Sequence, residues 1–261
     1  MTIQRQPAVA GTFYTADPDE LRRTVEGYLA AAGADGTPPK ALVAPHAGYV
    51  YSGPVAARIY ARIAPLGKTI RRVVLLGPSH RVPFRGIALS SADEFVTPLG
   101  AVALDRAAMD ELADLPWVGV LDEAHAQEHS LEVHLPFLQT LLEDFTLVPL
   151  VVGEASAEQV SEVLKRLWGG PETLIVVSSD LSHFHDYATA RAMDGETSEL
   201  IASLGSTHID GEHACGCRPL NGLILTAREK GLKGEIVDLR NSGDTAGPRD
   251  QVVGYGAYGF A

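Results

Sequence analysis

Arg-Val-Val-Leu-Leu-Gly-Pro-Ser-His, residues 72–80, is the stretch from which the fold can be read. Arg72 to Gly77 form a short, almost wholly apolar run closed by Gly77 and Pro78, the signature of a buried strand rather than a helix. Just beyond its C-terminal end stands a histidine, His80. The same pattern recurs twice: Ala41–Ala44 runs into Pro45, His46, Ala47, Gly48 and Tyr49, and Thr173–Ser178 runs into Ser179, Asp180, Leu181, Ser182 and His183. Ligands of open α/β sheets bind in the crevice outside the carboxyl ends of the strands. Three strand ends carrying His46, His80 and Asp180 with His183 therefore predict one shared polar site.

Outward from these strands, apolar β-branched runs at 145–153, 235–239 and 251–260 alternate with helical periodicity at 17–31, 54–64, 105–115, 128–142, 156–167, 188–204 and 219–230. This alternation predicts an α/β protein with a mixed, mostly parallel central sheet and helices on both faces. In the fourth helix Leu131, Leu135, Leu138 and Leu142 share one face, and Pro136 should kink or split it. Residues 85–105 read as a β-hairpin with turns around Asp93 and Gly100. The linker-like stretch 33–39, GADGTPP, falls between the first helix and the first strand and does not separate two cores. One domain, 1–261, is expected.

The chain has 261 residues, with 33 acidic side chains against 21 basic ones and a net charge of −12. That balance disfavours nucleic acid as the main partner, since phosphate binding needs a dense basic face. The start, MTIQRQPAVAG, lacks a basic segment followed by an apolar one, and no apolar run approaches the roughly 20 residues that span a bilayer. A cytoplasmic protein without a membrane partner is expected. No phosphate-binding G-x-x-x-x-G-K-[ST], no dinucleotide G-x-G-x-x-G after a strand and no G-x-S-x-G elbow occurs.

The only two cysteines, Cys215 and Cys217, open the helix near Pro219. A spacing this tight is no secreted disulfide framework. A cysteine beside a helix N-terminus tends toward thiolate, the form a metal requires, although either thiol alone reads equally well as a small apolar residue under the helix start. The segment 124–137, AHAQEHSLEVHLPF, brings His125, His129 and His134 together with Glu128 and Glu132. His125 and His129 would share a helical face, yet the glutamate of the zinc-protease motif is misplaced. These residues read as a helix N-terminus whose acids complement the dipole and whose histidines border the cleft without ligating the primary metal. His208 and His213 have no assignment.

Taken together, PAVAGTFY, PHAGYVYSGPVA, LLGPSH, EHSLEVHLPFL, VSSDLSH and CGCRPL, in this order over nearly the whole chain, resemble the Memo family, whose bacterial and archaeal members are known as AmmeMemoRadiSam system protein B. The resemblance implies a fold similar to the class III extradiol dioxygenases. By motif it implies His46, His80 and Cys215 as metal ligands, and Asp180 and His183 as pocket residues, His183 resembling the acid/base histidine of the dioxygenases. It further implies iron, with copper or zinc as alternatives, a small molecule or peptide in the metal cleft, and partnership with AMMECR-type and radical-SAM proteins. The dioxygenases use two histidines and a carboxylate, so the cysteine here argues against carrying ring cleavage across. A redox protein of unknown substrate is the expected function, with an extradiol-type dioxygenase on an aromatic diol or a peptide-binding or metal-buffering scaffold as alternatives.

Overall fold

The computed structural model describes residues 2–205 and 209–261. In chain order its elements are β1 (Gln4–Arg5), α1 (Pro18–Ala32), β2 (Ala41–Ala44), α2 (Tyr49–Tyr60), β3 (Arg72–Pro78), β4 (Ile87–Leu89), β5 (Glu94–Thr97), β6 (Gly100–Ala103), α3 (Arg106–Asp110), β7 (Val118–Val120), α4 (Asp122–Ala126), α5 (Leu135–Leu141) and β8 (Thr146–Val152). There follow α6 (Ala157–Arg166), β9 (Thr173–Ser178), β10 (His183–His185), α7 (Tyr187–Ala202), α8 (Cys217–Glu229), β11 (Gly234–Asn241), α9 (Ser242–Thr245) and β12 (Val252–Phe260). Short 3₁₀ turns at Ala61–Leu66 and Glu132–His134 complete the chain.

The main sheet runs β10-β12-β2-β9-β3-β8-β4-β7, with β11 pairing on β12. Its centre, β2-β9-β3-β8, is parallel. The flanks turn antiparallel where β12 meets β2 and where β4 meets β8. The four central strands are apolar except for Arg72, Thr146, Thr173 and Ser178 at their ends, and buried except for Arg72 and Thr146, as a sheet covered on both faces demands. Neighbouring residues on β12 show the two layers: a Cβ on Gly259 would approach Ile59 of α2, whereas Tyr258 bonds Ser198 of α7 at 2.8 Å. Successive side chains on a strand point to opposite faces, so α2 and α7 cover opposite sides. The fold is thus α/β with a mixed central sheet and helices on both faces, as expected.

Register decides where the strand ends fall. Ala44 pairs with Ser178 and Leu76 with Val177, so β2, β9 and β3 finish level with one another. Their outgoing turns must emerge side by side.

Several expectations need correction. Residues 85–105 are not one hairpin: β4 joins the main sheet, and only β5 and β6 pair, around Gly100, in a small sheet completed by β1. A strand as short as β4, buried at all three residues, is better covered by β8 than left on a free ribbon. The helix expected over 128–142 is split. Residues 128–131 are not helical, a 3₁₀ turn follows, and α5 begins at Leu135 with Pro136 in its first turn, where the missing N–H costs nothing. The helix expected over 54–64 starts earlier, at Tyr49, and Pro54 is accommodated within it. The helix expected over 105–115 is confined to α3, capped by Asp105, which accepts from the N–H of Ala108 at 3.0 Å.

Candidate metal centre

The three strand-end turns interlock. Asp180 accepts the backbone N–H of His46 at 2.7 Å, and Ser179 donates its backbone N–H to the carbonyl of Ala44 at 3.0 Å. His46 is buried and His80 is exposed, their ring centroids 5.1 Å apart. Cys215, on the turn before α8, brings its Sγ to 3.3 Å from His46 Nε2. One ligand atom from each of His46, His80 and Cys215 lies within 4.8 Å of the others, so a single ion could be held between them.

Hydrogen bonding fixes which nitrogens are free. Ser178 Oγ donates its proton to the carbonyl of Ser130 at 2.6 Å, so at its 2.6 Å contact with His46 Nδ1 it can only accept. His46 therefore carries its proton on Nδ1 and turns an unprotonated Nε2 toward Cys215. His80 is oriented in the same sense: its Nδ1 lies 2.9 Å from Glu128 Oε1 and donates to it. A carboxylate or hydroxyl behind the ligating imidazole is the usual outer support of a metal site.

Glu128 is fully occupied by that task. It also accepts the backbone N–H groups of His80, His129 and Ser130, at 2.5, 2.9 and 3.0 Å. Burial works to raise its pKa, but the His80 ring and these amides outweigh it and hold the carboxyl at about 2. His46 is kept neutral by burial, reinforced by the neighbouring histidines. Burial pushes Asp180 up to about 7 against the backbone bonds it accepts. The Cys215 thiol is pushed up as well, first by burial and then by the charge of Asp180. The thiolate expected from the helix N-terminus is not what this environment favours by itself: Cys215 precedes the N-cap residue Gly216, and a cation is needed to ionise it.

Two glycines allow the close approach. A Cβ at Gly216 would stand 2.5 Å from the carbonyl oxygen of Ser178, and one at Gly77 would stand 2.7 Å from Ser130 Oγ. Gly216 also donates its N–H to Ser179 Oγ at 2.9 Å, which ties the cysteine turn to the end of β9.

The remaining pocket residues fall as follows. His183 begins β10, half-buried, and its charge acts on His46 as that of His80 acts on it. Asp180 bonds the His46 turn rather than His183 among the described residues. The histidine-rich segment divides three ways. His129 stacks on His80 at 4.6 Å and lies 5.4 Å from His46, and with His80 and Glu128 it forms a second group that could hold an ion. His125 instead bonds the carbonyl of Ala88 at 3.0 Å, and His134 bonds the hydroxyl of Tyr60 at 2.9 Å. The shared helical face of His125 and His129 does not exist, because α4 ends at Ala126. Nor do the acids serve a helix dipole. Buried Glu132 pairs with Arg5 and accepts the backbone N–H groups of Ala8 and Val9 and the hydroxyl of Tyr14, anchoring the N-terminal arm. That arm lays Phe13 against His129 at 4.7 Å. Cys217 is not in the ligand group, His213 pairs with Asp210 at 2.6 Å, and His208 lies outside the described residues.

Residues 5–258 match the family model of Memo-like proteins. The chain belongs to the Memo family. Among curated relatives, a MEMO1 family protein of Aquifex aeolicus is 37% identical over 269 residues, covering 96% of this chain and 97% of its own. Those of Methanopyrus kandleri and Saccharolobus solfataricus are 36% and 32% identical, each over 99% of both chains. Within this Memo-family chain, Ser178, Ser130, Glu128 and Phe13 are site residues that motif reading did not assign. The sequence signal of Glu128, Ser130 and Ser178 is membership of the same short motifs as the histidines, and that of Phe13 is the N-terminal motif PAVAGTFY.

No helix among the described residues is long and apolar enough to cross a membrane.

Proposed function

We propose that this protein holds one metal ion through His46, His80 and Cys215 and uses it in redox chemistry on a small ligand. The observation that carries the reading is the donor set itself: two imidazoles with fixed tautomers and a half-buried thiol, all within 4.8 Å. Without an ion the thiol can donate to His46 Nε2, and when it ionises the same three atoms form a ligand set that a soft cation completes. Two borderline nitrogens and a soft sulfur suit iron, copper or zinc and do not suit magnesium or calcium. When bound, iron or copper would supply a Lewis-acidic, redox-active centre, and zinc a Lewis-acidic one alone, with positions left for a small ligand.

His183 is the proton carrier in this reading. Burial lowers its pKa, so it is neutral near pH 7, and with one ring N–H held by the Leu181 backbone the other nitrogen is free to accept a proton. Asp180 holds the His46 turn and, being raised to about 7, can gain or lose its own proton near neutrality.

Metal analysis of protein purified without added metal tests the reading. About one equivalent of iron or copper per chain is expected; zinc alone would keep the ligand set and refute the redox chemistry, and a metal-free preparation that takes up none of the three would refute the metal site itself.

A second reading, an extradiol-type dioxygenase, is favoured by the family's dioxygenase-like fold. A thiolate where those enzymes have a carboxylate donates more charge and shifts metal preference and potential. Ring opening of simple catechols by iron-loaded protein should therefore be weak or absent, and abundant ring-fission product would reverse the ranking.

A further inference from the structure

A cleft of about 640 Å³ opens beside the centre, and its wall includes Cys215, Cys217 and the Pro78-Ser79 turn that leads to His80. That volume is within the range of small-molecule sites. Much of the remaining wall is apolar, with Phe84, Val152 and Pro219. Two guanidinium groups line it, and they are not equivalent. Arg85 lies 3.3 Å from the carboxylate of Glu154, itself part of the wall, so its charge is answered. Arg218 is exposed and has no ion-pair partner among the described residues. Of the two acids on its own loop, Asp210 is engaged by His213, and exposed Glu212 forms no ion pair with Arg218.

Arg218 lies in the first turn of α8, which carries no acidic residue and no side-chain cap; the Cys217 N–H there bonds the Ala214 carbonyl and Pro219 has none, so the guanidinium itself is the positive charge of that turn. In a chain of net charge −12, this is an unanswered positive charge at a cavity that reaches a candidate metal ligand. An arginine fork matches carboxylate and phosphate oxygens alike.

We propose that this cleft is the subsite for an organic anion. Arg218 would hold a carboxylate or phosphate group, Phe84 and Val152 would cover an apolar body, and the far end of the molecule would reach toward Cys215. The role of that far end rests on the metal reading above; the anion subsite itself does not.

The experiment is a calorimetric titration of the full chain, as purified and again after chelation, with benzoate, phenyl phosphate and neutral benzamide. At least one of the two anions is expected to bind saturably in both preparations, about tenfold more tightly than benzamide, as a charge-assisted pair at a partly desolvated site allows. The tighter anion identifies the group. Arg218→Gln should erase that preference, Arg218→Lys should keep part of it, and Arg85→Gln should leave it, with folding checked by circular dichroism. Equal binding of benzamide, wild-type behaviour of Arg218→Gln, or no saturable anion binding would each overturn the proposal. Binding that vanishes on chelation would also overturn it, since the anion would then sit on the ion. Anion binding that survives chelation and needs Arg218 upholds the subsite even if the metal reading fails.

Discussion

His46 and His80, far apart in the chain, meet ring to ring, whereas His125, His129 and His134, crowded into one short segment, serve three separate places. The first pair is positioned by topology. Parallel strands in register finish level, so whatever follows them converges. The second group was expected to obey helical spacing, and the helix is absent where that spacing needed it. What the contrast teaches is that a histidine's role follows from what its second nitrogen faces: one nitrogen of each ring is engaged, by a serine or glutamate at His46 and His80 and by a carbonyl or tyrosine at His125 and His134, but only the first pair lies within reach of Cys215, whereas the second nitrogens of His125 and His134 are buried without a hydrogen-bond partner.

The largest effect should come from the structural half of the comparison. Glu132→Ala would strand buried Arg5 without its carboxylate and free the N-terminal arm, at a cost of about 3–5 kcal/mol. Urea unfolding measures it; a loss below about 1 kcal/mol would mean the arm is held by other contacts.

Acid should separate the two groups next. Burial lowers His125 and His129 to about 4 and His134 to about 3, below the ordinary 6.5. The unfolded chain therefore binds more protons, and stability should fall as pH drops from 6.5 toward 4, by up to about 1.4 kcal/mol per pH unit for each histidine. Glu128, at about 2 against an ordinary 4.5, adds stability above 4.5 that is lost between 4.5 and 2. Denaturant midpoints from pH 7 to 4 should flatten in His134→Gln; an unchanged slope would show that His134 does not titrate as its burial dictates.

A subtler change probes the ligand half. Ser178→Ala removes the acceptor that keeps the His46 proton on Nδ1. Metal affinity, read by chelator competition, should weaken by about ten- to a hundredfold with little loss of fold. Wild-type affinity would show that the tautomer is set elsewhere.

The smallest effect is expected at Cys217, which lies outside the ligand group though it borders the same cleft. Cys217→Ser should keep the metal stoichiometry unchanged, and loss of the ion would demand a two-sulfur site.

Much of this fold was legible because the central strands are buried on both faces and so spell unbroken apolar runs: β2, β3, β8 and β9 fall within a residue or two of their expected bounds. β1, β7 and β10 are only two or three residues long, too short for a pattern, and β4 was misassigned because its partner β8 lies far along the chain. The same division holds in the site. His46, His80, Asp180 and His183 announce themselves at strand ends, and Cys215 through its motif. Glu128 and Ser178 act across the fold, on histidines 48 and 132 residues away, and no local spacing could reveal that.

Anomalous diffraction at the metal edge, on crystals of the protein as purified, tests the central claim most directly. The account predicts one peak per chain, bonded to His46 Nε2, His80 Nε2 and Cys215 Sγ. A peak held instead by His80, Glu128 and His129, or one that remains in place in Cys215→Ser at undiminished occupancy, would contradict it.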